Sequence, residues 1–211
     1  MTQQLFMIAG YNSFMRRGKI IVIEGTDKAG KATQSRLLMD ALKLSGKICV
    51  IMDFPDYSTA IGVEIKTFLQ GKRDYSNELK HLLLSANRWE KKNEIESMIN
   101  NGTIIIMNRY YQSNLVYGIS NGLNINWLLN LDKGLPREDM VIVLEVSPKL
   151  SNQRIANGQD IFENDQKLLT EVHKNYRKLA KQFKWKIIDG EKSKEQVHQE
   201  VLSVVRKFLK V

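Results

Sequence analysis

The sequence predicts an α/β fold in which a five-stranded parallel sheet is flanked by helices on both faces. Apolar, β-branched runs alternate with helical patterns along the chain, and a glycine-rich loop joins the first run to the first helix. Such alternation is typical of parallel sheets, because a parallel crossover needs a connection long enough to hold a helix. The five runs lie at about residues 19–24, 47–52, 103–107, 140–146 and 184–189.

The helical patterns begin and end at residues with known capping preferences. The longest pattern runs from Ser76, a good N-cap residue, to Asn101, and we expect it to bend midway. The helix after the glycine loop ends at Gly46, a residue type that suits the C-terminal cap. In the final helix, Ser193 and Gln196 have the spacing of a capping box.

Length and composition bound the class of protein. A chain of 211 residues with 43% hydrophobic content suits one domain. We place that domain at residues 19–211, with residues 1–18 as an N-terminal extension. A single cysteine, Cys49, excludes a disulfide framework within the chain and favours a reducing compartment, so we expect a cytoplasmic protein. No apolar run approaches the roughly 20 residues needed to span a bilayer, so we expect no membrane association.

The net charge of +9 is compatible with two kinds of partner. Basic proteins often bind nucleic acid, but the lysines here are scattered through the helical patterns and form no concentrated tract. A solvated surface is therefore favoured over a nucleic-acid groove. A site for small anionic molecules would also gain from positive steering.

A glycine-rich loop follows the first predicted strand. Residues 25–31 fit the pattern Gly-x-x-x-x-Gly-Lys, with Gly25, Gly30 and Lys31 at the defining positions. Backbone N–H groups in such a loop converge on one point, and the lysine adds a positive charge there. This predicts a site for nucleotide phosphates. Ala32, however, stands where the motif expects a hydroxyl that binds magnesium.

Three further segments follow predicted strands or lie within the long helix, at residues 54–62, 85–90 and 108–113. Together with residues 24–31 they resemble the thymidylate kinase family in order and spacing. The resemblance extends from about Gly18 to the C-terminal helix. It implies a P-loop kinase fold with a short lid at about residues 154–164, transfer of a phosphoryl group from ATP to dTMP with Mg²⁺, and a homodimer.

The resemblance also implies roles for individual residues. On the donor side, Lys31 and the loop backbone would hold the ATP phosphates, and Arg154 in the lid would neutralise charge on the transferred group. The residues implied in catalysis are Asp27, Lys31, Arg109 and Arg154. The residues implied in ATP binding are Gly25, Lys28, Ala29, Gly30, Lys31, Ala32, Thr33 and Arg154.

On the acceptor side, the resemblance implies that Asp27 accepts a hydrogen bond from the sugar 3′-hydroxyl and that Arg109 binds the 5′-phosphate. Arg88 would read the thymine edge, and Tyr117 would crowd the 2′ side of the ribose. The residues implied in dTMP binding are Asp27, Phe54, Tyr57, Leu84, Arg88, Asn108, Arg109, Ser113, Tyr117 and Phe162.

By residue type alone, several of these positions have simpler interpretations. Asp27 is also a common turn residue, Arg88 would be solvated in most helices, and Tyr117 could be core packing. Arg109 could pair with a surface carboxylate, and Arg154 could complement a helix C-terminus.

Among the departures of the chain from the family pattern, four concern the metal, the acceptor phosphate or the base. Ala32 replaces the metal-binding hydroxyl, and Asn108 replaces an aspartate, so Asn108 is a candidate metal contact only through water and no certain metal ligand is assigned. Tyr57 replaces an arginine on the acceptor phosphate, and Leu84 replaces an aromatic that stacks on thymine.

Two functions therefore remain open. The first is a dTMP kinase with relaxed acceptor choice or altered magnesium dependence. The second is a non-catalytic P-loop protein that binds or senses nucleotides. Retention of acceptor-side residues favours the kinase, because a protein that only binds ATP needs none of them.

Overall fold

All five predicted strands are present in the computed structural model, which describes residues 17–147, 150, 162 and 165–211. They form one sheet in the order β2–β3–β1–β4–β5, and every neighbouring pair is parallel. The α/β class and the five-stranded parallel sheet are therefore confirmed. The strands are β1 (Ile20–Gly25), β2 (Cys49–Asp53), β3 (Ile104–Asn108), β4 (Met140–Glu145) and β5 (Lys186–Asp189).

Helices connect the strands and also follow the last one. In the described part of the chain they are α1 (Lys31–Leu44), α2 (Ala60–Leu69), α3 (Asn77–Glu90), α4 (Lys92–Asn100), α5 (Tyr111–Ser120), α6 (Ile125–Leu131), α7 (Gln166–Phe183) and α8 (Lys194–Leu209). None of these helices is long and apolar enough to cross a membrane.

The predicted long helix at 76–101 is two helices, α3 and α4, separated at Lys91. Lys91 has φ −97° and ψ 0°, outside the α-helical region, and its ammonium group lies 3.0 Å from the Asp56 carboxylate in the loop after β2. The predicted bend is thus a complete break. The predicted N-terminal caps are confirmed, because Ser76 accepts from the backbone N–H of Leu79 and Ser193 forms the capping box with its partner three residues later. Helix α1 ends at Leu44 with Ser45 as its C-cap, one residue before the predicted Gly46.

The core lies on both faces of the sheet. Along β1, Ile20 and Val22 pack in one hydrophobic cluster, whereas Ile21 and Ile23 pack in the other. The first cluster includes α5 and α7, and the second includes α1 and α8. Because β1 is buried on both faces, its residues 20–23 form a continuous apolar run and do not alternate with polar residues. Because β2, β3 and β1 are adjacent and parallel, their carboxyl ends lie together at one edge of the sheet.

A buried histidine links α3 to α5. His81 is fully buried, its Nδ1 lies 2.6 Å from Oδ1 of Asn114, and its Nε2 lies 3.4 Å from Nδ2 of Asn121. An amide oxygen only accepts and an amide nitrogen only donates, so the neutral ring with its proton on Nδ1 satisfies both partners. Burial accordingly lowers the pKa of His81 to about 4.

This pKa predicts a loss of stability in acid. The unfolded chain binds a proton at His81 near the ordinary pKa of 6.5, whereas the folded protein resists protonation until about 4. The free energy of unfolding should therefore fall as the pH drops from 6.5 towards 4, by up to about 3 kcal/mol for this one group. Urea unfolding at several pH values measures it.

The matched variants are His81→Gln and His198→Gln, the second of which changes a histidine on α8. His81→Gln should flatten the dependence of unfolding free energy on pH between 6.5 and 4, whereas His198→Gln should change it much less. An unchanged slope in His81→Gln would contradict the prediction.

Candidate functional site

The glycine loop lies between β1 and α1, as the motif requires. Gly25 and Gly30 have φ of 141° and 92°, values that favour glycine, and Lys28 also has a positive φ of 57°. A Cβ atom at Gly25 would lie 2.4 Å from the carbonyl oxygen of Leu144 on β4. The loop therefore needs glycine at this position for both conformation and space. It ends at the N-terminus of α1, where backbone N–H groups and the helix dipole favour an anion.

Lys31 places its charge inside this loop. Its Nζ donates to the carbonyl oxygens of Gly25 at 3.1 Å and Thr26 at 2.7 Å, and lies 3.8 Å from the Asp27 carboxylate. The lysine is only 8% exposed. A cation held by loop carbonyls at a helix N-terminus is positioned to meet phosphate oxygens.

Asp27 and Arg109 form an ion pair between the loop and the end of β3. Nη2 of Arg109 donates to Oδ1 of Asp27, and Nη1 donates to Oγ of Ser113 at 3.1 Å. The hydroxyl of Tyr117 donates to Oδ2 of Asp27 at 3.1 Å. Arg109 itself has φ 66°, and its backbone N–H donates to the carbonyl oxygen of Ile23. These bonds place an arginine fork and a carboxylate side by side.

The charges in this pair stabilise each other. Burial alone would raise the pKa of Asp27, but the nearby charges of Arg109 and Lys31, with a hydrogen bond from Tyr117, lower it to about 2. Burial would lower the pKa of Arg109, but the Asp27 carboxylate and neighbouring groups hold it well above its ordinary value. Asp27 is therefore an ionised hydrogen-bond acceptor at neutral pH.

Glu24 is a structural centre of the site that the sequence motifs did not single out as a functional residue. It is fully buried on β1 and accepts from the backbone N–H groups of Tyr110 and Ser113, at 3.0 and 3.1 Å. It also accepts from the hydroxyls of Ser113 at 2.6 Å and Tyr176 at 2.9 Å. Glu24 thus fixes the start of α5, directly after Arg109. The signal that could have identified Glu24 was its position, because it is a single charged residue in an otherwise apolar strand, just before the glycine loop.

A pocket opens beside the Asp27–Arg109 pair. The predicted acceptor-side residues that line it are Asp27, Phe54, Tyr57, Leu84, Arg88, Arg109, Ser113, Tyr117 and Phe162. The other lining residues are Pro55, Leu69, Tyr110 and Asn114. Charged side chains and aromatic or aliphatic side chains line the pocket together, which suits a ligand with an anionic group and a flat ring.

Arg88 is held in this pocket by Asp132, which sequence reasoning missed. Nε and Nη2 of Arg88 donate to the two carboxylate oxygens of Asp132 at 3.0 and 2.8 Å, and Oγ of Ser85 donates to the same carboxylate at 2.9 Å. Both side chains of the ion pair are buried, with 3% and 0% exposed. The bidentate pair leaves Nη1 as the nitrogen of Arg88 available to a ligand.

Asn87 holds the loop after β2 against α3. Its Oδ1 accepts from the backbone N–H of Asp56 at 2.7 Å, and its Nδ2 donates to the Asp56 carbonyl at 3.1 Å and to Oγ1 of Thr59 at 2.9 Å. This loop carries Phe54 and Tyr57 into the pocket wall. Asn87 lies within the segment 85–90, but its residue type alone did not indicate this role.

The remaining predicted residues lie elsewhere. Asn108 is not part of the pocket wall, and its Nδ2 donates to Oδ1 of Asp53 at 2.7 Å. Ala32 and Thr33 are exposed in the first turn of α1. Arg154 and the lid prediction for residues 154–164 lie outside the described residues, except for Phe162. The Phe162 ring centroid is 5.4 Å from that of Tyr117.

Comparison with known proteins supplies an independent line of evidence. The thymidylate kinase family model matches residues 23–201. The thymidylate kinase of Schizosaccharomyces pombe is 36% identical over 198 residues, covering 92% of this chain and 94% of the relative. The human thymidylate kinase is 35% identical over 190 residues, covering 88% and 89%.

A solved structure agrees with the sequence relatives. Thymidylate kinase from Candida albicans, whose structure is described as revealing the origin of broad substrate specificity, superposes with a TM-score of 0.79. It is 32% identical, and the match covers 90% of this chain and 92% of that one. Since the family model spans most of the chain and the glycine loop, ion pair and pocket lie at the ends of three neighbouring strands, this chain belongs to the thymidylate kinase family.

Proposed function

We propose that this protein transfers the γ-phosphoryl group of ATP to dTMP, forming ADP and dTDP. The observation that carries the proposal is the position of Asp27, which lies in the glycine loop and also lines the pocket. A donor site and an acceptor site therefore meet at one residue. Phosphoryl transfer needs this arrangement, because its catalysis is mostly positioning and charge stabilisation.

The acceptor would bind with its phosphate next to the Asp27–Arg109 pair. Arg109 offers a planar fork to the 5′-phosphate, and ionised Asp27 accepts a hydrogen bond from the 3′-hydroxyl. Nη1 of Arg88 donates to the edge of the base, while Tyr117 stands against the ribose. The side chains of Phe54 and Leu84 enclose the ring.

The donor would bind on the loop between Gly25 and Thr33. The ammonium group of Lys31 would leave the carbonyl oxygens of the loop and bind the β- and γ-phosphate oxygens. The backbone N–H groups at the start of α1 would bind the other phosphate oxygens. The role of Arg154 in neutralising charge on the transferred phosphoryl group stays a prediction, because Arg154 lies outside the described residues. Membership of the thymidylate kinase family also supports a lid at about residues 154–164 and the pairing of two copies into a homodimer, and we propose both.

Magnesium is proposed as the ion that accompanies ATP. The described residues contain no group of three or more His, Cys, Asp or Glu side chains that could hold a metal, so the ATP phosphates would supply most ligands. Asn108 fits a part in such a site, because its Oδ1 is buried and has no hydrogen-bond partner in the described part of the chain. Bound magnesium would neutralise charge on the phosphates.

The experiment measures the turnover of several acceptors, one at a time. Purified protein is incubated with ATP, Mg²⁺ and dTMP, dUMP or dGMP in turn, and ADP and the nucleoside diphosphate are both quantified, with a control that lacks acceptor. We expect dTMP to have the highest kcat/KM. Because Leu84 supplies an aliphatic wall, we also expect measurable turnover of a second acceptor.

Three outcomes separate the alternatives. Turnover of no acceptor, with ATP still bound, would replace the kinase with the nucleotide-sensing protein. Equal turnover of all three acceptors would refute thymine selectivity while leaving the kinase. ADP formed equally with and without acceptor would show hydrolysis instead of transfer.

A further inference from the structure

Asp53 and Asn108 form a polar pair at the carboxyl edge of the sheet. They are direct neighbours in the β2–β3 register, and Nδ2 of Asn108 donates to Oδ1 of Asp53 at 2.7 Å. Asp53 lies just before the segment 54–62 and outside the segments that resemble the family. Asp53 is exposed, whereas Asn108 is partly buried, so the pair has one side towards solvent and one towards the protein.

This hydrogen bond determines which way the amide of Asn108 faces. An ionised carboxylate only accepts hydrogen bonds, so the amide nitrogen must point towards Asp53 and the amide oxygen must point elsewhere. That oxygen is buried and has no hydrogen-bond partner among the described residues. Buried polar atoms almost always have a partner, so an unpaired acceptor here indicates a missing donor or cation.

The unpaired oxygen lies on the side of the sheet that carries the phosphate loop. Successive residues of a strand face opposite sides, so Asn108 shares a face with Ile104 and Ile106. Those two pack in the hydrophobic cluster that contains Leu38 and Leu42 of α1. Asn108 therefore faces the layer formed by α1, whose first residue ends the glycine loop.

The register of β1 brings the loop close to the same point. Ile23 pairs with Asn108, and the chain reaches Gly25 only two residues later. On the loop side, Ala32 supplies no oxygen ligand. An oxygen acceptor on β3 with a carboxylate behind it thus lies at the edge from which the phosphate loop departs, and amide and carboxylate oxygens suit Mg²⁺.

We propose that Asp53 is a positioning residue for the divalent cation that accompanies ATP. It holds the Asn108 amide with Oδ1 towards the phosphate loop, where that oxygen binds the metal or a water on the metal, and its charge strengthens the oxygen as an acceptor. The inference rests on the proposed function in that it requires bound metal–ATP. Asp53 thereby supplies the negative charge that Asn108 lacks.

The experiment measures metal binding without turnover. The affinity of Mn²⁺ for the protein–ATP complex, with no acceptor present, is determined by electron paramagnetic resonance for the wild type, Asp53→Asn and the double variant Asp53→Asn/Asn108→Asp. Removing a residue that hydrogen-bonds to a metal ligand typically weakens metal binding by 10–100-fold. We therefore expect Asp53→Asn to weaken Mn²⁺ binding on the order of 10-fold. Asp40→Asn, which removes an exposed carboxylate on α1, is the control and should bind Mn²⁺ as the wild type does.

The double variant tests the mechanism directly. It exchanges the amide and the carboxylate between the two strands, so a hydrogen bond can re-form with a charged oxygen now on β3. We expect Mn²⁺ affinity at or above the wild-type value. Unchanged Mn²⁺ affinity in Asp53→Asn, or no recovery in the double variant, would overturn the proposal.

Two further measurements, ATP binding with and without metal and dTMP turnover, distinguish metal positioning from other roles of Asp53. A purely structural role would weaken ATP binding equally with EDTA and with Mn²⁺, and that result would also overturn the proposal. If the wild type phosphorylates dTMP while Asp53→Asn holds Mn²⁺ normally, only this inference fails. If Mn²⁺ binding depends on Asp53 but no acceptor is phosphorylated, only the proposed function fails.

Discussion

Arg109→Ala is expected to lower kcat/KM for dTMP by about 10²–10³-fold while changing ATP affinity little. The guanidinium lies between Asp27 and Ser113 in the pocket, where a fork can bind a phosphate through two parallel hydrogen bonds. The other arginine of the pocket wall in the described residues, Arg88, is committed to Asp132. Steady-state kinetics with each substrate varied, together with ATP binding by calorimetry, measure both quantities.

Two companion variants make this prediction specific. Arg109→Lys keeps the charge but loses the fork, so it should recover only part of the activity. Arg73→Ala removes an arginine whose side chain is 58% exposed on the loop after α2, and it should leave kcat/KM unchanged. A proportional loss of ATP affinity in Arg109→Ala would place the arginine on the donor instead of the acceptor.

Asp132→Ala is expected to lower the free energy of unfolding by about 3–5 kcal/mol, because it leaves the buried Arg88 guanidinium without a partner. The pair is almost completely inaccessible to solvent, with 3% and 0% of the two side chains exposed. Ser85 would lose the same carboxylate. Urea unfolding followed by circular dichroism measures the change.

The control for this prediction removes both charges. In Asp132→Ala/Arg88→Met no charge remains buried, so the double variant should be more stable than Asp132→Ala alone. Asp74→Ala, which removes a carboxylate that is 97% exposed, should change stability by less than about 1 kcal/mol. Equal destabilisation in the single and double variants would show that the cost comes from lost packing and not from an unpaired charge.

The strands and the glycine loop were predictable because local rules govern them. A strand buried on both faces is apolar at nearly every position, so β1 and β3 appear as apolar runs that end at Glu24 and Asn108. The loop needs glycine wherever φ is positive or a backbone approaches closely, as at Gly25 and Gly30. The break at Lys91 was visible only as a bend, because nothing in its residue type ends a helix.

The site was predictable where residues follow strand ends. Parallel strands share one carboxyl edge, so residues that follow β1 and β3 lie close together there, and the structure pairs Asp27 with Arg109. The residues that hold this site in place were not predictable. Glu24 bonds to residues 86 to 152 positions away, and Asp132 pairs with a residue 44 positions away. Hydrophobic periodicity carries no information on such distant partners.

Sequence by itself therefore determined the layers of this protein, the phosphate loop and the family resemblance, because each depends on local backbone conformation, on burial of a whole face or on motifs in order. Tertiary structure alone decided which charges are neutralised. Arg88 would be solvated in most helices, yet here it is buried and paired. Asn108 is an uncharged substitute by type, but Asp53 gives it a neighbouring charge and a fixed orientation. Electrostatic roles depend on distance and exposure, and both are set only when the strands come together.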